Sequence, residues 1–122
     1  VIDETVVREI ALGLPGATEE PGSMHFRVND RDFVWPYLER VDPKKARVER
    51  RDRVLVRVDS EDEKFALIAS KPAIYFTTDH YNGYAMVIVR LAEISRDELE
   101  EMISGSHALA AAPKRRPRKR SG

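Results

Sequence analysis

Apolar residues along this chain switch between a helical and an extended rhythm. Val6, Val7, Ile10 and Leu14 recur at the spacing of one helix face. Asp3 stands where an N-cap accepts orphan backbone amides, Glu4 lies near the positive end of the helix dipole, and Gly13 with Pro15-Gly16 stops the run. Residues 15–23, rich in proline and glycine, read as a polar loop. The period then becomes that of a half-buried strand, with Met24, Phe26 and Val28 on one side and His25 and Arg27 on the other. Asn29-Asp30 supplies a turn, and residues 32–38 read as the hairpin partner, Phe33, Trp35 and Tyr37 sharing a face. Pro36 has no amide hydrogen for a ladder, so this strand is expected at an edge or interrupted there.

Residues 39–53 are dense in charge. Lys44, Lys45, Arg47, Arg50, Arg51 and Arg53 are diluted by Glu39, Asp42, Glu49 and Asp52, which reads as a solvated loop, with a phosphate-contacting wing as the other reading. Val54, Val56 and Val58 alternate as a third strand. Ser60 and Glu63 form a capping-box pattern opening a helix to about Ser70, its buried face assigned to Phe65, Ile68 and Ala69. Residues 72–91 hold two β-rich runs, the first around Ile74 to Thr78 and the second around Val87 to Val89, joined by a polar loop with Asn82-Gly83 at its tip. A hairpin with a loop longer than two residues is the economical reading. Ser95 and Glu98 repeat the capping box, and Leu99, Met102, Ile103 and Leu109 mark a last helix that Gly105-Ser106 is expected to weaken. The element order predicts one α+β domain over residues 1–112, a mostly antiparallel sheet of about five strands with helices on one face.

Composition narrows the function classes. With 122 residues the chain suffices for one domain with a real core. Cysteine is absent, which excludes disulfides, thiolate zinc sites and cysteine nucleophiles and agrees with a reducing cytoplasm. No apolar run approaches the roughly 18 residues that cross a bilayer, and Val1-Ile2-Asp3-Glu4 is not a signal peptide. A soluble, cytoplasmic protein with a trimmed start is therefore expected, without membrane contact and as a monomer rather than an oligomer. The formal net charge of zero hides an asymmetry: residues 1–112 hold all 21 acidic residues against 15 of the 21 basic ones, a net of −6. The remaining 6 are Lys114, Arg115, Arg116, Arg118, Lys119 and Arg120, in a tail over residues 113–122 that has nothing to bury and is expected to be disordered in isolation.

The run Phe76-Thr77-Thr78-Asp79-His80-Tyr81-Asn82-Gly83-Tyr84, followed by residues 87–91 and 95–99, resembles the C-terminal half of MmcQ/YjbR-like proteins. Residues 14–20 with Phe26-Arg27-Val28 resemble the N-terminal half. This resemblance covers roughly residues 5–110 and implies a CyaY-like or double-wing fold and a DNA-binding role, the latter through likeness of fold. Ser104-Gly105-Ser106-His107 and residues 39–53 depart from the pattern.

Strand alternation sets Arg57 and Arg90 opposite the helix-facing valines, where His25 and Arg27 join them. Guanidinium forks there suit phosphate or carboxylate, while an ordinary solvated face with cross-strand ion pairs is the structural alternative. In the 78–84 loop, Thr78, His80, Tyr81 and Tyr84 combine stacking surfaces with hydrogen-bonding tips suited to an unstacked base or small aromatic ligand; equally, Tyr84 covers the core and His80 caps the loop. The basic tail offers salt-dependent, sequence-blind attraction to DNA, or a solubilising segment that folds back on the acidic body. His25, His80 and His107 lack metal-ligand spacing, no cofactor motif is present, and Asp79-His80 adjacency does not make a catalytic base. The expectation is a small non-enzymatic nucleic-acid-binding protein; the alternative is a small-molecule or protein-binding module with its pocket beside His80.

Overall fold

A computed structural model describes residues 2–39, 44 and 48–112. Its elements are α1 (Glu4–Leu12), β1 (Thr18–Glu19), β2 (Phe26–Val28), β3 (Arg31–Glu39), β4 (Val48–Arg57), α2 (Glu61–Ser70), β5 (Tyr75–Phe76), β6 (Met86–Arg90) and α3 (Arg96–Ala111), with a 3-10 turn at Asp79–Tyr81. The strands form one antiparallel sheet in the order β1-β2-β3-β4-β6-β5. It has six strands rather than about five, because Thr18–Glu19, inside the expected loop, pairs with β2 at the edge.

Local chemistry accounts for most of the boundaries. Asp3 accepts the amides of Thr5 and Val6 and opens α1, which closes at Gly13. Asn29 and Asp30 both take positive φ (52° and 62°), the geometry of a two-residue primed hairpin turn. Asn82 (φ −64°, ψ 139°) and Gly83 (φ 86°) instead form a type II turn closed by the Tyr84 amide on the Tyr81 carbonyl at 3.3 Å, so only the glycine needs left-handed backbone.

Two irregularities decide which side chains face where. Phe26 pairs with Val34 but Arg27 with Asp32, so Phe33 is an extra, bulged residue. The bulge interrupts the alternation: Phe33 and Val34 both enter the helix-side core, while Trp35 and Tyr37 emerge on the other face. Phe33 therefore does not share a face with Trp35 and Tyr37. Farther on, Pro36 pairs with Val54 but Tyr37 with Arg50, so β4 detaches over residues 51–53 where proline has no amide hydrogen to give. This is the expected interruption, placed within an interior strand. The charged stretch read as a loop is extended from Val48 onward; residues 40–43 and 45–47 lie outside the described residues.

All three helices contribute to the main core, through Val7, Ile10 and Ala11 of α1, Leu67 and Ile68 of α2, and Leu99, Ile103 and Ala110 of α3. The assigned face of α2 is right at Ile68 and wrong at Phe65 and Ala69. Phe65 is half exposed and Ala69 exposed, while Lys64 is fully buried. In α3 the inner stripe continues through Ser106 and His107, and the helix runs unbroken past Gly105 to Ala111. The Ser106 hydroxyl donates to the Phe33 carbonyl at 2.6 Å, satisfying a polar group at the bulge, and His107 meets Phe33 edge-on while its Nε2 lies 2.7 Å from the Pro15 carbonyl.

Candidate functional site

Among the described residues, the sheet's second face carries no helix of the main core. Tyr37, Leu55, Tyr81 and Ile88 form a smaller buried cluster there, flanked by Trp35, Phe76 and Met86. Cross-strand register explains it: Trp35 opposite Leu55 and Leu55 opposite Ile88 put one apolar row across three strands. Tyr81, delivered by the 3-10 turn, lies on that row and shields part of it. The remainder stays open as a cleft of about 300 Å³ walled by His25, Trp35, Pro36, Leu55, His80, Tyr81, Tyr84 and Met86.

The roof of the cleft is held from below. Lys64 reaches out of α2 and donates its Nζ to the carbonyls of Tyr81 (2.7 Å) and Tyr84 (3.1 Å), the two ends of the type II turn. Burial, its largest influence, lowers the lysine pKa, opposed by Glu61. A buried ammonium with two carbonyl acceptors fixes the loop as a bound cation would. Tyr84 is 57% exposed at the mouth, and His80 meets Tyr81 edge-on, 4.8 Å between ring centres. Thr78 accepts the Tyr81 amide through its carbonyl at 2.9 Å and starts the turn; it shapes the loop without lining the cleft.

Asp32 organises the β2–β3 end. Its carboxylate accepts the indole Nε1 of Trp35 at 3.0 Å and Nε of Arg27 at 3.0 Å, with His25 Nδ1 4.0 Å away. Its backbone carbonyl accepts Nε of Arg57 at 2.9 Å, and the Arg57 guanidinium lies 5.4 Å from the centre of the Trp35 ring. His25 is aimed by unusual backbone: Met24, fully buried, takes φ 64° while its amide is fixed by the Glu19 carboxylate, itself gripped by Arg8. For a bulky residue this is strained geometry of order 1–2 kcal/mol.

Arg57 and Arg90 share the open face, as alternation indicated, but they do not converge. Arg57 pairs with Met86 and Arg53 with Arg90, so the two arginines stand about 13 Å apart along β6 at ~3.3 Å per residue. Arg90 lies 4.0 Å over Phe76 and donates to the Pro72 and Ala73 carbonyls, closing the short β5 edge. The structure thus brings His80, Tyr81 and Tyr84 around one cleft, sets Arg27 and Arg57 beside it through Asp32 and Trp35 without their lining it, and leaves Arg90 at the far end of the face. Lys114, Arg115, Arg116, Arg118, Lys119 and Arg120 lie outside the described residues. His25 and His80, remote in sequence, line the same cleft, and among the described residues no three His, Asp or Glu side chains form a metal-ligating group. No helix among the described residues is long and apolar enough to cross a membrane.

Lys64, Asp32 and Trp35 were missed as site residues. Lys64 is legible in retrospect, since it lies three and four positions before Leu67 and Ile68 on the stripe that faces inward. Asp32 and Trp35 acquire their roles only through the bulge at Phe33.

Comparison with known proteins places this geometry in context. The family model described as YjbR matches residues 12–109. Uncharacterized proteins of Mycobacterium tuberculosis and Mycobacterium bovis are 41% identical over 114 residues, spanning 88% of this chain and 87% of theirs. The crystal structure of a Deinococcus radiodurans DUF419 protein superposes with a TM-score of 0.59 at 19% identity, covering 88% of this chain and 78% of that one.

Proposed function

Starting from a chain that belongs to the YjbR family, we propose that it is a non-enzymatic binding module whose working surface is the cleft beneath the 77–85 loop. One observation carries this reading: Trp35, Tyr81, Tyr84, His25 and His80 from three separate stretches enclose about 300 Å³ over a floor of Leu55 and Met86. Apolar walls with a few polar tips are the usual make-up of a small-molecule site, and this volume lies at its lower end. No Ser, Thr, Lys or carboxylate is among the lining residues, which favours binding over group transfer. Titration of the isotope-labelled full chain with a collection of small ring compounds tests it. The Trp35 indole and the amides of residues 78–84 are expected to shift together and saturably; shifts confined to other surfaces overturn the reading.

DNA binding is the second reading. Arg57 and Arg90 on one face, each ending on carbonyls and an aromatic ring rather than a carboxylate, and the six cations of residues 113–122 favour it. The net charge of −6 on residues 1–112 works against a duplex on that face. Salt-dependent duplex binding by the full chain that also shifts the Arg57 and Arg90 side-chain signals would establish it over the first.

A further inference from the structure

We infer that the ligand of this cleft is a planar aromatic ring bearing a carboxylate or phosphate group, the ring against Trp35 and the anion on Arg57; this rests on the cleft reading above. Arg57 does not line the cleft but adjoins two residues that do, being cross-strand from Met86 and with its guanidinium 5.4 Å from the centre of the Trp35 ring. Only its Nε is engaged, by the Asp32 carbonyl; among the described residues its two terminal nitrogens have no hydrogen-bond partner. The neighbouring carboxylate that would neutralise it is taken: Asp32 already holds Arg27 and the Trp35 indole. Burial and, next, the cation of Arg31 disfavour charge on Arg57, with Asp32 only partly offsetting them. A guanidinium does not shed its proton to relieve such a setting. An anion on the open fork relieves it and gains bidentate, charge-assisted hydrogen bonds.

The direction of approach follows from the second hollow that Arg57 borders. Asp59, Glu63 and Glu101 line that one, and their charges repel an anion. On the Trp35 side the Asp32 carboxylate is engaged by Arg27 and the indole, the cleft lining is apolar or aromatic, and the indole ring, already faced by Arg57, extends the stack to an incoming ring. A site this small suits one ring with one anionic group.

Trp35 is the sole tryptophan of the chain, so intrinsic emission reports this cleft directly. The full-length protein is titrated with adenosine monophosphate, adenosine, ribose phosphate, quinaldate and quinaldamide. At least one ring anion is expected to change Trp35 emission saturably and to bind about tenfold or more tighter than its neutral counterpart, a difference of about 1.4 kcal/mol. Arg57→Gln is expected to remove that difference while leaving neutral-ring binding in place. Preference for the monophosphate or for quinaldate tells whether phosphate or carboxylate is the anion. Equal binding of charged and neutral rings by the unmodified protein overturns the anion assignment and leaves the cleft reading intact, independently of how the variant folds. Retention of the preference in Arg57→Gln likewise overturns the role of Arg57, ribose phosphate binding as well as the nucleotide overturns the ring, and silence from all five probes overturns both this inference and the cleft itself.

Discussion

Lys64 is the residue on which the candidate site depends without belonging to it. Its ammonium is buried, donates to the Tyr81 and Tyr84 carbonyls, and has its pKa lowered chiefly by desolvation. Lys64→Met keeps the stem and removes the donor, taking the ammonium from the Tyr84 carbonyl and leaving that of Tyr81 with the turn amide alone, at a cost of about 1–3 kcal/mol. Hydrogen exchange should show the loss concentrated in residues 78–84 rather than spread over the sheet; uniform loss would make Lys64 an ordinary core residue. The pH dependence has a definite sign. A lysine whose folded pKa lies below its unfolded value leaves the unfolded chain holding more protons, so stability rises with pH between the two values and is flat below them. Urea midpoints of the parent should therefore gain on Lys64→Met as pH rises toward the ordinary lysine value of about 10.4, and a gap that narrows over that range contradicts the burial of the charge. Lysine defeats a hydrophobic-pattern reading because its stem buries like an apolar side chain while its tip needs acceptors that only the folded loop supplies. Phe65, apolar and adjacent, drew the buried assignment that belonged to it.

Elements show the same division between what local chemistry specifies and what contacts across the fold decide. Helix caps and the Asn29-Asp30 turn were legible because their chemistry is local: Asp3, Ser60 and Ser95 each accept nearby amides as the spacing indicates. The capping box at Ser95 is nevertheless only half formed. The Glu98 carboxylate goes instead to Lys71 at 2.8 Å and to the Tyr75 hydroxyl at 2.5 Å, tying the start of α3 to the end of α2 and to β5. Those hydrogen bonds, Lys71 first, hold the Glu98 pKa below the usual carboxylate range. Its contribution is therefore present above that range and disappears as pH falls through the lowered value. Glu98→Gln should lower the urea midpoint at neutral pH, and the gap to the parent should close in acid; a gap independent of pH would assign the effect to packing. The bulge at Phe33 was not legible, since an extra residue in a strand leaves no trace in composition and reverses the alternation that follows. Its partner Ser106 sits where an apolar stripe residue is expected, and Ser106→Ala should cost about 1–3 kcal/mol by orphaning the buried Phe33 carbonyl. Because the bulge sets the facing of Trp35, that variant should also alter Trp35 emission, whereas Gly105→Ala, with nothing within 4 Å of the added carbon, should leave it unchanged.

For the molecule as a whole, the separation of charge is the feature that distinguishes the two functional readings. The described chain ends against the β2–β3 turn: Asn29 donates to the Ala111 carbonyl at 3.1 Å and Arg31 to that of Ala112 at 3.4 Å. The six cations of residues 113–122 follow in sequence on a body whose residues 1–112 sum to −6. Each phosphate neutralised adds about −0.9 to the slope of log affinity against log salt. A tail acting alone accordingly gives a slope near −5, and recruitment of Arg57 and Arg90 steepens it by about 2 more. Replacing all six tail cations with glutamine in the full-length chain discriminates these cases. We expect duplex binding to vanish at physiological salt, because the chain then carries −6 overall and Arg57 and Arg90 stand too far apart to outweigh that field. Ring-anion binding in the cleft, short-ranged and partly desolvated, should survive the same replacement with little change. A substituted chain that still binds duplex with a slope of about −2 would reverse this ordering: the sheet face would then be a nucleic-acid surface in its own right, and the tail an accessory to it.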